Sequence, residues 1–367
     1  MLYQILYPLR EVFSPLNIFQ YITFRSASAA ILALLISFIF GPLILRKLNQ
    51  LQIKEEIRDH GPDSHKKKKG TPTMGGLIIL TAIIIPTLLL ADLTNPFIEI
   101  LLMSTIWMGL IGFIDDYLKS VKKLKKGLIA RYKLTGQILL GLIITLWIYN
   151  TPAWDNIRTV TSVPFLKDSV IDFGLLYPLM ILFVVSGTSN AVNLTDGLDG
   201  LATGLLAISF SVFAVIAYIS GRVDFSDYLN IIYLPGAGEL TIFSAACVGA
   251  CLGYLWFNAA PAQIFMGDVG SLSTGAALGT LAILLKKEFL LVIIGGVFVA
   301  EAISVILQVS YFRYTKKKYG EPKKLFLMAP IHHHFELKGW PESRIVIRFW
   351  IIGLLLALLT IATFKIR

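Results

Sequence analysis

Residues 97–119 read FIEILLMSTIWMGLIGFIDDYLK, an apolar run over 97–114 that stops at two adjacent carboxylates, Asp115 and Asp116. About 20 apolar residues at 1.5 Å rise each cross the hydrocarbon of a bilayer, so this stretch predicts a membrane-spanning helix ending in paired acids at the water interface. The same template recurs at 27–45, 74–91, 134–150, 170–189, 197–219, 240–257, 267–285, 288–312 and 344–364. With 56% hydrophobic and 15% charged residues over 367 positions, the chain is too apolar for a water-exposed surface, where charged residues are about a quarter of the total. The expected fold is an all-α polytopic membrane protein of about ten transmembrane helices, forming one membrane domain over 1–367.

The charge of the connecting loops sets the expected orientation. Loops 46–73, 115–133 and 313–343 carry 22 Lys and Arg, against 9 in the segments that alternate with them. Basic loops stay in the cytoplasm, so both termini are expected on the non-cytoplasmic side, and loops 46–73, 115–133, 190–196, 258–268 and 313–343 on the cytoplasmic side. The formal charge of +10 resides in these short runs, which excludes nucleic acid as the expected partner. Cys247 and Cys251, one helical turn apart in an apolar segment, suit packed side chains better than a disulfide or metal framework. The stretch 1–21 carries Arg10, Glu11 and two prolines and lacks the layout of a cleaved signal peptide.

The ionisable groups gather in those cytoplasmic loops. Neighbouring side chains on a helix point about 100° apart, so Asp115 and Asp116 are expected to hold different tasks. The segment NAVNLTDGLDG at 190–200 contains Asn190, Asn193, Asp196 and Asp199 with no basic residue. One N-cap would need a single such group, so four point to a site. The segment NAAPAQIFMGDVGS at 258–271 begins with Asn258 and sets Asp268 between glycines at a helix start. Oxygen donors without a Cys or His framework argue for Mg²⁺ or Mn²⁺ rather than zinc.

The segment PIHHHFE at 330–336 holds His332, His333 and His334. Three consecutive histidines cannot all face one metal from a regular helix, and contact with phosphate or proton transfer near neutral pH is the expected use. Among the basic residues, one or two lysines near the acids are expected to bind phosphate; most of the lysines follow the loop-charge rule. Glu301 and Gln308, seven residues apart on one face of an apolar span, are expected to line a cavity or bind a neighbouring helix.

Taken together, TPTMGG at 71–76, DDYLK at 115–119, NAVNLTDGLDGL at 190–201, FNAAPAQIFMGDVGS at 257–271 and PIHHHFELKGWPE at 330–342 resemble the phospho-N-acetylmuramoyl-pentapeptide-transferases, a branch of the polyprenyl-phosphate N-acetylhexosamine-1-phosphate transferases. The resemblance spans residue 20 to the end and includes the order of all five motifs. It implies Mg²⁺-dependent transfer of phospho-MurNAc-pentapeptide from UDP-MurNAc-pentapeptide to undecaprenyl phosphate, giving lipid I and UMP at the bacterial inner membrane. It further implies Asp268 as the metal ligand, with Asp115, Asp116, His332 and His333 as catalytic groups. Lys69, Lys119, Lys133, Asn190, Asn193, Asp196, Asp199, Asn258 and His334 are implied as substrate contacts, and a homodimer as the assembly. Lys119 stands where related transferases often carry another acid, which argues against a wholly acidic two-metal motif. A transporter or flippase would place its acids at the bilayer midplane between repeated halves, whereas these lie at helix ends in a chain without evident repeats.

Overall fold

The computed structural model describes residues 2–51, 53, 70–124, 127–166 and 169–364. Its long helices are α1 (Ile22–Gln50), α2 (Gly76–Leu90), α3 (Pro96–Ser120), α4 (Ala130–Tyr149), α5 (Tyr177–Thr195), α6 (Leu201–Ser220), α7 (Glu239–Asn258), α8 (Gly267–Leu284), α10 (Gly296–Tyr319) and α12 (Glu342–Thr363). Two short helices, α9 (Glu288–Ile294) and α11 (Ile331–Leu337), complete the labelled set. Among the described residues, eight helices are long and apolar enough to cross a membrane. This is a polytopic helical membrane protein.

Helices α2 and α8 fall outside those eight for different reasons. The α2 helix has only 15 residues. The α8 helix is rich in Gly, Ser, Thr and Ala, and every residue from Val269 to Leu284 is buried. Its surface meets protein on all sides, so it has no lipid to match and needs small side chains more than apolar ones. A methyl group on Gly112 of α3 would stand 2.2 Å from the Asp268 carbonyl oxygen, and one on Gly76 of α2 would stand 2.0 Å from the Gly270 nitrogen. Helices α2, α3 and α5 therefore close around α8 at backbone contact distance.

Three expected boundaries are corrected. The span expected at 170–189 begins at Tyr177, because Val170–Asp172 forms a strand paired antiparallel with Val160–Ser162, Val160 opposite Asp172. The β-branched pairs Val160-Thr161 and Val170-Ile171 favour that hairpin, and Pro178 then opens the helix at a position where its missing N–H costs nothing. As a result α5 runs on to Thr195 and carries Asn190 and Asn193 on its last turns, where a loop was expected. The span expected at 288–312 is broken at Gly295 into α9 and α10, and α10 continues to Tyr319, into the expected loop 313–343. Likewise α3 continues to Ser120, so Asp115 and Asp116 are helical residues one turn inside its end.

Candidate active site

The position of Asp268 is set by the backbone of two distant segments. The Phe265 N–H donates to Pro72 O (2.9 Å), while the Gly75 and Gly76 N–H groups donate to Phe265 O and Met266 O (both 2.8 Å). The TPTMGG segment is thus paired in extended fashion with the residues that lead into α8. Gly267 turns the chain into the helix with φ of +70°, a conformation that favours glycine, and a Cβ there would meet the Asp116 carboxylate at 2.4 Å.

Met266 at the start of α8 offers no side-chain cap. Instead Asp116 Oδ2, from α3, accepts from the Val269 N–H at 3.1 Å. A carboxylate at a helix N-terminus is favoured both by the free N–H groups and by the macrodipole. Asp115, one residue earlier, faces elsewhere: it accepts from the Leu128 N–H (2.6 Å) and from Lys133 Nζ (2.7 Å), and pairs with Lys119. The two adjacent acids do hold separate contacts, as the 100° step of a helix requires.

Asp115, Asp116 and Asp268 each bring one oxygen within 4.8 Å of the others. Asp115 and Asp116 are 0% and 4% exposed, so their like charges have little water to screen them. Two ammonium groups answer them. Lys133 Nζ bonds Asp268 Oδ2 as well as Asp115, and Lys119 Nζ lies 3.2 Å from the same Asp268 oxygen. The other Asp268 oxygen accepts from Asn193 Nδ2 (2.8 Å), which also reaches Ser271 Oγ (2.8 Å). Three carboxylates at this spacing, without sulfur or imidazole, fit a hard divalent cation, and the flanking ammonium groups fit phosphate oxygens.

The site therefore unites Asp115, Asp116, Lys119, Lys133, Asn193 and Asp268. Other expected residues are engaged elsewhere. Asn190 lies one turn before Asn193 and donates to Gln137 Oε1 (3.1 Å) and Ser186 O (2.8 Å). Asp196 is the half-buried C-cap residue of α5. Asp199 accepts from the Ala262 N–H at 2.9 Å. Asn258 is buried, accepting from the Gly200 N–H and Thr203 Oγ1 and donating to Ile264 O. Those last two side chains tie the turn after α5 to the segment before Asp268. Lys69 and the rest of the basic run 65–69 lie outside the described residues.

The histidines sit on α11 and diverge. His332 Nδ1 lies 3.1 Å from Glu301 of α10, with both side chains fully buried. His333 Nδ1 contacts Glu336 at 2.7 Å. His334 Nδ1 accepts from the Leu327 N–H at 3.1 Å, and loss of hydration together with the nearby Lys338 cation holds its imidazole below the ordinary value.

Three supporting residues escape a reading of the sequence. Ser271 follows Asp268 by three positions and Gln137 follows Lys133 by four, spacings that put each on the same helix face as its neighbour. One Ser among the several hydroxyl residues of α8, or one Gln in an apolar helix, carries too little signal to be singled out. Thr73, buried beside Gly267, is visible only through the pairing of its strand-like segment.

Residues 98–286 match the family described as Glycosyl transferase family 4, and residues 68–80 match Phospho-N-acetylmuramoyl-pentapeptide-transferase signature 1. The signature covers the segment that pairs with Phe265 and Met266. The chain is 52% identical to a protein of Thermodesulfovibrio yellowstonii, 51% identical to one of Chloroherpeton thalassium and 53% identical to one of Desulfosudis oleivorans, in each case over 100% of both chains. All three are named phospho-N-acetylmuramoyl-pentapeptide-transferase.

Proposed function

The chain belongs to the phospho-N-acetylmuramoyl-pentapeptide-transferase family, and from that premise we propose that it transfers phospho-MurNAc-pentapeptide from UDP-MurNAc-pentapeptide to undecaprenyl phosphate. The products are lipid I and UMP. One P–O bond forms to an oxygen of the lipid phosphate, and one P–O bond breaks to release UMP. The observation that carries this reading is the meeting of Lys119 and Lys133 with Asp115, Asp116 and Asp268 at one point, a charge pattern suited to a divalent cation between two phosphorylated reactants.

Phosphoryl transfer asks a protein mainly for position and charge compensation. Lys119 and Lys133 supply positive charge to phosphate oxygens. Asp268, with Asp115 and Asp116 beside it, would hold Mg²⁺, which when bound neutralises charge developing on the diphosphate. The second pKa of a phosphate monoester is about 6, so the lipid phosphate is already largely ionised at neutral pH and needs no strong base. Asp115 then serves best as the group that fixes both lysines. Asn193 holds Asp268 from the side of α5, Asp196 at the end of that helix is the proposed contact for the donor nucleoside, and His332 lies against the turn that follows it.

The distribution of Lys and Arg supports ten spans, both termini outside and the site at the cytoplasmic surface of the inner membrane. A water-soluble nucleotide and a lipid phosphate can meet there and nowhere deeper. Purified full-length chain in lipid nanodiscs with Mg²⁺ should release UMP and form lipid I from these two substrates, and Asp268→Asn should abolish both. Turnover of UDP-GlcNAc in place of the muramoyl substrate would replace this reading with that of a related transferase.

A further inference from the structure

Glu301 is an ionisable group inside an otherwise apolar stretch of α10, and it is 0% exposed. Neither of its carboxylate oxygens makes a hydrogen bond among the described residues, and the contact that Oε2 has is an approach of His332 Nδ1 to 3.1 Å. A carboxylate kept dry in a membrane-spanning helix is costly, and such residues usually serve a site. The His332 ring is equally buried and is held from two sides. Its Nδ1 lies 3.1 Å from Glu301 Oε2, and its Nε2 stands against the turn after α5, where a Cβ on Gly197 would come within 2.3 Å of it.

That turn leads directly to the reacting groups. Asp196 precedes Gly197, and Asn193, one turn earlier on α5, bonds Asp268. Helix α10, which carries Glu301, also fixes the segment that delivers the histidine. Gln308 Oε1 accepts from the Leu325 and Phe326 N–H groups, 2.8 Å from the latter, and its Nε2 reaches Phe326 O. The groups facing the His332 ring are thus Glu301 from α10, His333 from α11, with ring centroids 4.1 Å apart, and the Asp196–Gly197 turn from α5.

We infer that Glu301 is a positioning residue for His332: its carboxylate takes the Nδ1 side of the imidazole and so turns Nε2 toward the Asp196–Gly197 turn, which continues the helix that carries Asn193. A ring nitrogen tied to a carboxylate fixes both the tautomer and the orientation of the other nitrogen. The inference rests on the transferase reading above. Failure of the wild-type chain to turn over would count against that reading, whereas the variants below address Glu301 alone.

The test is steady-state UMP release by the full-length chain in nanodiscs. Glu301→Gln, which keeps the shape of the side chain, should lower kcat about tenfold to a hundredfold while KM moves less than about threefold. Glu301→Asp should recover part of the loss. The double variant with His332→Gln should be no slower than His332→Gln alone, because two residues acting as one unit lose their effect once. Wild-type kcat in Glu301→Gln, or losses that multiply in the double variant, would overturn the inference. A second readout needs no turnover: with ¹⁵N-labelled histidine, the resonance absent from His332→Gln should show a proton on Nδ1. A proton on Nε2 alone would overturn it as well.

Discussion

Asp116 of α3 caps the helix that carries Asp268, its Oδ2 accepting from the Val269 N–H at 3.1 Å across 153 residues of sequence. One carboxylate of the acidic pair therefore builds the site as well as charging it. Asp116→Ala leaves a buried N–H without an acceptor, a loss of about 1–3 kcal/mol, and should lower the thermal midpoint even without Mg²⁺. Asp116→Asn keeps an acceptor and should unfold closer to wild type while still losing activity. Equal midpoints for Asp116→Ala and wild type, measured by thermal unfolding in detergent, would show that the cap contributes nothing.

The close approach of α2 and α3 to α8 predicts which glycines tolerate a methyl group. In Gly76→Ala and Gly112→Ala the new Cβ meets backbone atoms of Gly270 and Asp268, which cannot rotate away. Each should cost at least about 1–3 kcal/mol and reduce the yield of folded protein. Gly187→Ala, on the open face of α5 with no atom within 4 Å of the new Cβ, should be neutral or stabilising by up to about 1 kcal/mol. Size-exclusion profiles and thermal midpoints of the three variants separate these outcomes.

Lys133 occupies oxygens of both Asp115 and Asp268. Its ammonium repels any cation seated among the three acids, so Lys133→Met should bind Mg²⁺ more tightly, by roughly threefold to tenfold once screening is allowed for. The same change removes a partner for phosphate and should lower kcat/KM. Calorimetric titration with Mg²⁺ gives the first quantity and UMP release the second. Weaker Mg²⁺ binding in the variant would place the cation away from this lysine.

Arg25 and Glu239 form a buried two-point ion pair, with Nη1 and Nη2 at 2.9 and 2.6 Å from the two carboxylate oxygens. Glu239 also accepts from the Asp92 N–H (2.8 Å) and Arg25 donates to Leu90 O (3.1 Å), so α1, α7 and the turn after α2 are joined there. Glu239→Ala strands a buried guanidinium and should cost about 3–5 kcal/mol, read as a lower thermal midpoint. The pair lies at the end of α7 opposite Asn258, so KM of the variant that still folds should match wild type. A shifted KM would connect this end of the bundle to the site.

Much of the site was legible because its acids and lysines interrupt long apolar runs. Asp115 and Asp116 close one such run, and Asp268 opens another. The separate duties of Asp115 and Asp116 followed from helix geometry alone. Loop boundaries were less legible, since the polar ends of α5 and α10 satisfy helix geometry as well as their apolar middles do. The strand at Val170–Asp172 was hidden inside an apolar stretch whose hydropathy does not distinguish strand from helix.

Sequence by itself determined that this chain lives in a membrane, how its apolar segments are spaced, and that Asp115, Asp116 and Asp268 stand at the ends of apolar runs. Those are local properties: hydropathy over about 20 residues and side-chain direction along a helix. Only the tertiary structure decided that Lys133 reaches Asp268 over 135 residues, that Asn193 does so over 75, and that His332 leaves its loop to meet Glu301 inside the bundle. Such pairings are set by how closely helices approach, and here glycines on α2 and α3 bring backbone against α8. Packing of that kind depends on the whole bundle, and no window of sequence contains it.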